Sequence, residues 1–293
     1  MVKIEFMSLE YTIKYSAKNS YENGATSALW QFMIIPETND SQEVLSDRFI
    51  NSHYIPVENS VNGYGFKTYR IRYRKSSFEE IAFHAEFQLI KEVENVFEKL
   101  ADLSIEEEST KLNSLEFKAD NDVFLRQTEL TSLPKETAFQ FDQNMSLFQN
   151  LQNLNKWIFD EFTFKANVTS VDTNLEDILK LKQGVCQDFT HLFIAIAKSR
   201  GIPSRYVSGY LHQGNGYFGD SQMHAWAECC LPESGWIGFD PTNNLIAAEN
   251  HIKVAHGKDY TDCPPLKGIV FSSGKNETEY SVQVSAQQQQ QQQ

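Results

Sequence analysis

The stretch GVCQDFTHLFIAIAKSRGIP, residues 184–203, puts a cysteine between a glycine-valine step and a strongly apolar run. Val185, Phe189, Leu192, Phe193 and Ile196 recur at helical spacing, and Gly201 and Pro203 end the run. Cys186 therefore stands at the start of a buried helix. Backbone N–H groups there lack intrahelical partners and the helix dipole is positive, which favours a thiolate. Asp188, in the first turn, complements that dipole or fixes the preceding loop.

Three strand patterns follow: RYVSGYL (205–211), HAWAECCL (224–231) and WIGFD (236–240). PESG joins the last two as a hairpin. Alternation sets His224, Trp226 and Glu228 on one face and Ala225, Ala227 and Cys229 on the other. The hairpin returns Asp240 to the end where His224 begins. A tight loop leaves the two about three positions out of register, roughly 10 Å along the strand. A bulge, a diagonal contact or a looser loop has to close that gap. With Cys186 packed above that end, the set is a Cys–His–Asp triad. The imidazole holds the sulfur as thiolate and later protonates a leaving amine, and the carboxylate orients the ring. The Cys186 backbone N–H is the natural first oxyanion donor. Gln183 carries the nearest upstream side-chain amide.

Working towards the N-terminus, Phe148, Leu151, Leu154, Ile158 and Phe162 predict a helix that Asp142 or Asn144 could cap. TNLEDILKLKQG predicts another, with Thr173 and Glu176 in capping-box spacing and Gly184 as its stop. Residues 98–140 read as a polar connecting segment, with SIEEEST (104–110) as a solvated face. Residues 1–95 read as β: SALWQFMIIP (27–36), GFKTYRIRYRK (65–75) and IAFHAEFQLIKEV (81–93) are rich in aromatic and β-branched residues. In the last of these His84 falls on the solvent side. The expected organisation is a β-rich N-terminal domain with connecting segment over 1–140, a core over 141–286 and a disordered glutamine tail over 287–293. EYSVQVS (279–285) supplies a last strand.

Net charge is −13 and the sequence pI near 5.0, which excludes a nucleic-acid backbone and an anionic membrane surface as partners. No apolar run of about 18 residues is present, and the N-terminus reads as a first strand rather than a signal peptide. Cys186, Cys229, Cys230 and Cys263 form neither a disulfide framework nor a zinc motif. A reducing cytoplasm is the expected compartment. His191 lies five residues after Cys186, well round the helix, a poor metal pair. No metal or cofactor is expected. His212, His251 and His256 stand in turn-like surroundings. Trp226, Tyr217 and Trp236 are candidates to line an acyl pocket, with core packing as the alternative. Gln187, next to the cysteine, is a further candidate for substrate contact.

The pieces GVCQDFTHLFIAIAKSRGIPSRYVSGY, MHAWAECCLPESGWIGFDPTNN and HGKDYTDCPPLKG resemble the bacterial transglutaminase-like superfamily, members of which are often described as cysteine proteases. The resemblance spans about 145–285, and the family motifs G-V-C, H-A-W and D-P-T fall on Cys186, His224 and Asp240. It implies an α+β chain: a sandwich-like β domain, then a papain-like core with helices packed on an antiparallel sheet. Lys258 departs from the arginine common in HGRDY, and Cys229 and Cys230 are not family hallmarks. The implied activity is acyl transfer on peptide or amide bonds through a thioester, with water ahead of an amine as acceptor. A protein-glutamine transglutaminase and a non-catalytic peptide-binding module are the alternatives. A peptide or protein is the expected partner.

Overall fold

The computed structural model describes residues 8–74, 77–134, 139–212 and 222–288. Five strands come first: β1 (Ser8–Phe32), β2 (Gln42–Asn51), β3 (Val57–Val61), β4 (Lys67–Tyr73) and β5 (Phe78–Glu92). Short helices α1 (Ile105–Leu112), α2 (Leu115–Asp120) and α3 (Asp122–Leu125) lead to α4 (Leu147–Glu161). Next come β6 (Thr163–Phe164), α5 (Leu175–Leu181), β7 (Gln183–Gly184) and α6 (Cys186–Ser199). The chain continues through β8 (Ser204–Leu211), β9 (His224–Leu231), β10 (Gly235–Asp240), β11 (Leu245–Ala247) and β12 (His251–Gly257). It closes with β13 (Leu266–Ser272) and β14 (Asn276–Gln288). The architecture is α+β, as the sequence implied.

β1 is the spine of the first sheet. Tyr11, Ile13, Tyr15 and Ala17 alternate into the core while Lys14 is exposed. Its first half pairs with β5 and β14, and its second half with β4 and β13. Register shifts between Ser20 and Ala25 and between Ala25 and Ser27 separate the halves. Beyond them Trp30 and Phe32 reach Phe83 on β5, with ring centroids 5.3 and 4.7 Å apart. The sheet thus folds over itself into a sandwich-like module with aromatic filling.

Three details differ from the expectation. First, β13 and β14 return to β1, so residues 266–288 complete the N-terminal sheet rather than belonging wholly to the core. Gln287 and Gln288 lie opposite Glu10 and Leu9, so the glutamine run begins inside a strand. Residues 289–293 fall outside the described residues. Second, SIEEEST is helical: Ser104 caps α1 in a reciprocal box with Glu107. Short helices therefore occupy much of the described part of the connecting segment. Third, the caps moved. Ser146 caps α4 together with Gln149, and Asn174 caps α5. The α5 helix leaves through Lys182 at φ 50°, so Gly184 is not its stop and pairs in β7 with Phe164.

The second sheet runs β11-β10-β9-β8-β12, all antiparallel. Residues Phe189 to Lys198 of α6 are buried without interruption. The helix lies between this sheet and α4: Phe193 stacks on Phe239 of β10 at 5.3 Å, and Phe148 of α4 meets the same ring at 5.9 Å. Burying each such side chain is worth about 1.5–3 kcal/mol, so the position of Cys186 is set by a rigid apolar rod. The two sheets are tied by polar contacts. Tyr210 Oη donates to the Ile34 carbonyl at 2.6 Å, Gln42 exchanges two hydrogen bonds with the Lys253 backbone, and Tyr11 Oη donates to the Glu249 carbonyl. Among the described residues no helix is long and apolar enough to cross a membrane.

Candidate active site

Cys186 is the first residue of α6 and is half-buried. Asp188 fixes the approach to it: Oδ2 accepts from the Val185 N–H at 2.8 Å and from Thr169 Oγ1 at 2.7 Å. A Cβ on Gly184 would lie 2.7 Å from that oxygen, so only glycine lets the carboxylate fold back over the chain. The loop-fixing role read for Asp188 is what the structure shows. Gln187 Nε2 donates to the Val171 carbonyl, so its amide ties down the adjoining loop.

The gap between His224 and Asp240 is smaller than the tight-loop estimate. Gly235 pairs with Leu231 and Phe239 with Ala227, which sets Asp240 level with Trp226, two positions from His224. Both side chains share a face, and a diagonal contact closes the distance. His224 Nε2 lies 2.8 Å from Asp240 Oδ2. An ionised carboxylate can only accept, so the ring donates from Nε2. That leaves Nδ1 for the sulfur. It makes no hydrogen bond of regular geometry, but the Cys186 thiol is near enough to act on the ring. Burial alone would lower the His224 pKa. The Asp240 carboxylate, by charge and hydrogen bond, and the Cys186 sulfur outweigh that and raise it to about 10.

Asp240 is fully buried and has more donors than a simple triad requires. Oδ1 accepts from the backbone N–H groups of Thr242 and Asn243, as in an Asx-turn. Oδ2 also accepts from Asn243 Nδ2 at 2.8 Å and from His251 Nε2 at 3.1 Å. Burial would raise this carboxyl's pKa, but the two imidazoles hold it well below the usual carboxylate range. Sequence reasoning missed Asn243 and His251. The Asx-turn residues after Asp240 signalled the first. The second stands at the start of β12, not in a turn as expected, and the alternating pattern HIKVAHG was its signal. His256 lies in the same strand. The ligand atoms of His224, Asp240 and His251 lie within 4.8 Å of one another, a spacing that could hold a metal ion. Here the same atoms are joined by hydrogen bonds.

Other candidates fall elsewhere. Cys229 faces α6, with Lys198 as a charged neighbour, so the alternate positions Trp226 and Glu228 face away from the body of that helix, while His224, at the first position of β9, still reaches Cys186 at the helix start. Trp226 is buried and meets His251 edge-on at 5.2 Å. It also lies beside the His224 ring, with centroids 6.4 Å apart, and the cavity it lines on its other side includes neither Cys186 nor His224. Trp236 lies under the Arg205 guanidinium at 3.9 Å, on the same far face. Tyr217 lies outside the described residues. His191 is buried and accepts from the Tyr260 N–H, with its pKa pushed down to about 4 by burial. It is a neutral acceptor that pins the HGKDY turn.

A cysteine opening a buried helix, facing a histidine–aspartate pair on an antiparallel hairpin, defines a transglutaminase-like core. Residues 135–241 match the family model of the Transglutaminase-like superfamily. An uncharacterized protein of Mycobacterium tuberculosis is 34% identical over 162 residues, covering 52% of this chain and 52% of its own. One from Mycobacterium leprae is 37% identical over 134 residues, covering 44% and 47%. The chain spans about half the length of these relatives. A protein-glutamine gamma-glutamyltransferase of Pseudomonas aeruginosa is 32% identical over 87 residues, 28% of this chain and 13% of that protein. Among solved structures, a "Putative Cysteine Protease" from Cytophaga hutchinsonii superposes with a TM-score of 0.72 at 18% identity. It covers 95% of this chain and 91% of its own, so the shared fold includes the N-terminal sandwich.

Proposed function

We propose that the protein is a cysteine-dependent acyl-transfer enzyme acting on peptide or amide bonds, with water as the preferred acceptor. The observation that carries this reading is the orientation of His224, whose Nε2 is committed to Asp240 at 2.8 Å while Nδ1 is left for Cys186. With its pKa raised to about 10, the ring is protonated at neutral pH and faces the sulfur as an acid.

Cys186 Sγ attacks the carbonyl carbon and a tetrahedral oxyanion forms beside the helix N-terminus, where the Cys186 N–H can donate. Its collapse breaks the C–N bond. His224 gives its Nδ1 proton to the departing amine, leaving a thioester on Cys186. The neutral ring then takes a proton from water, which attacks the thioester and releases the acid and the thiolate. Asp240 keeps the ring oriented throughout.

A second reading replaces water with a primary amine. The Pseudomonas aeruginosa relative, named a protein-glutamine gamma-glutamyltransferase, favours it. The two readings share the thioester and differ only in its resolution. Four free thiols suit a reducing compartment, and the cytoplasm is the setting proposed. A peptide library incubated with the protein, with and without a primary amine, separates the readings by mass spectrometry. Cleavage or deamidation that added amine leaves unchanged supports hydrolysis. Amine incorporation as the main product supports transfer. No product that depends on Cys186 counts against both.

A further inference from the structure

Tyr206 stands in β8, opposite Ala227 of β9. Two residues before it, Ser204 Oγ meets Cys229 Sγ at 3.2 Å on the face turned to α6. Alternation puts Tyr206 on that same face, under the helix that Cys186 opens. Its ring packs against His191 of α6, with centroids 5.2 Å apart, and against Tyr260 at 6.3 Å. His191 is itself fixed by the Tyr260 N–H at 3.1 Å, so the phenol sits in a tied cluster. The strand order β10-β9-β8 carries Asp240, His224 and Tyr206 in turn. Tyr206 therefore comes from the strand that flanks β9 on the side away from Asp240.

The residue is only 3% exposed, yet among the described residues its hydroxyl makes no hydrogen bond. Burial pushes the phenol pKa well up. Of the ionisable groups around it Cys186 acts on it most strongly, ahead of Cys263, Tyr260 and Asp188. Tyr206 is thus a protonated phenol near the sulfur, an O–H donor whose proton is unused. Native interiors seldom leave such a donor unmet, and a catalytic role is one reason they do. An oxyanion is held best by more than one donor, and the Cys186 N–H supplies one.

We propose that Tyr206 is a catalytic residue of the Cys186 site, its Oη–H donating a hydrogen bond to the oxyanion of the tetrahedral intermediate. This role rests on the acyl-transfer reading. No proton changes hands. The hydrogen bond strengthens as the carbonyl oxygen becomes charged and weakens when the C–N bond breaks and the carbonyl re-forms. Attack of water on the thioester builds a second oxyanion on the same carbon, and the same donor serves it. Holding the thiolate is left to His224 and the helix start.

The test compares the full chain with Tyr206→Phe in two reactions. Acylation by a peptide p-nitrophenyl ester, read as a burst of p-nitrophenol, builds an oxyanion. Alkylation of Cys186 by iodoacetamide builds none, because the sulfur displaces iodide directly. The expected result is a loss on the order of a hundredfold in the burst rate constant, with the alkylation rate and its pH profile unchanged. Tyr206→Phe should melt no lower than the unaltered protein, since the hydroxyl it removes has no hydrogen bond. Fluorotyrosine in place of Tyr206 keeps the donor and should keep most of the burst rate. A loss under about tenfold in Tyr206→Phe, an equal loss with fluorotyrosine, or a parallel fall in alkylation would overturn the role of Tyr206 and leave the acyl-transfer reading standing. Absence of a Cys186-dependent burst in the unaltered protein would overturn both.

Discussion

His251 donates from Nε2 to Asp240 Oδ2 at 3.1 Å, the same oxygen that accepts from His224 at 2.8 Å. Two imidazoles thus share one carboxylate oxygen. Burial pushes the His251 pKa down, and the nearby His224 and Lys91 cations add to that, although Asp240 opposes it. His251 therefore stays neutral while His224 carries the charge. It acts through Asp240, as a positioning residue. His251→Ala should slow alkylation of Cys186 on the order of tenfold and shift its pH profile, whereas His251→Gln, which keeps a donor, should retain most of the rate. Alkylation rates measured across pH for both variants check this. Equal, pH-independent losses in the two would mean that His251 only packs.

The triad should also leave a signature in stability. His224 binds its proton more tightly in the folded protein, with its pKa moved from 6.5 to about 10. Its contribution is full below about pH 6.5 and is lost as the pH rises through about 10. Asp240 works the other way: its pKa is held low, so its contribution is present above the usual carboxylate range and lost in acid. The Tm difference between the protein and His224→Ala should be largest from roughly pH 4 to 6.5 and shrink on the alkaline side. A difference that grew towards pH 9 would contradict this assignment of charge.

The four thiols should differ sharply in reactivity. Cys229 is buried, and burial raises its pKa to about 12. Burial raises Cys230 and Cys263 as well, with Asp262 adding to the effect at Cys263. Cys186 alone is partly exposed. Limiting iodoacetamide near pH 6 should therefore label Cys186 first, as read by peptide mass spectrometry. His224→Ala should remove most of that preference and Asp240→Asn less of it. Uniform labelling of all four would show that Cys186 is a packed thiol like the others.

The returning C-terminal strands predict where truncation is tolerated. β14 covers one edge of β1 from Leu9 to Tyr21 and buries Val282. Deleting 276–293 bares that edge and should lower Tm markedly or cause aggregation, whereas deleting only 289–293 should leave both Tm and thiol reactivity unchanged. Matching melting curves for the two truncations would show that β14 adds nothing to the sheet.

Much of the site could be read from local pattern. Cys186 was visible because a helix start, a preceding glycine and an apolar run coincide within a few residues, and His224 and Asp240 because a hairpin returns one to the other. Asp188 was readable because its target, the Val185 N–H, lies three residues away. His251 was not, because its partnership with Asp240 depends on β12 crossing to the far side of β8, a sheet order that no local period reports. The return of β13 and β14 to β1 was hidden for the same reason. Caps slipped by a few residues where two adjacent polar side chains could each serve, as at Thr173 and Asn174.

The most direct measurement of the central claim is capture of the acyl-enzyme. The protein is mixed briefly with an activated acyl ester such as a peptide p-nitrophenyl ester, quenched in acid and digested, and the adduct is located by mass spectrometry. The account predicts an acid-stable thioester on the Cys186 peptide, absent in Cys186→Ala and strongly reduced in His224→Ala. An adduct on another residue, or acyl turnover undiminished in Cys186→Ala, would contradict it.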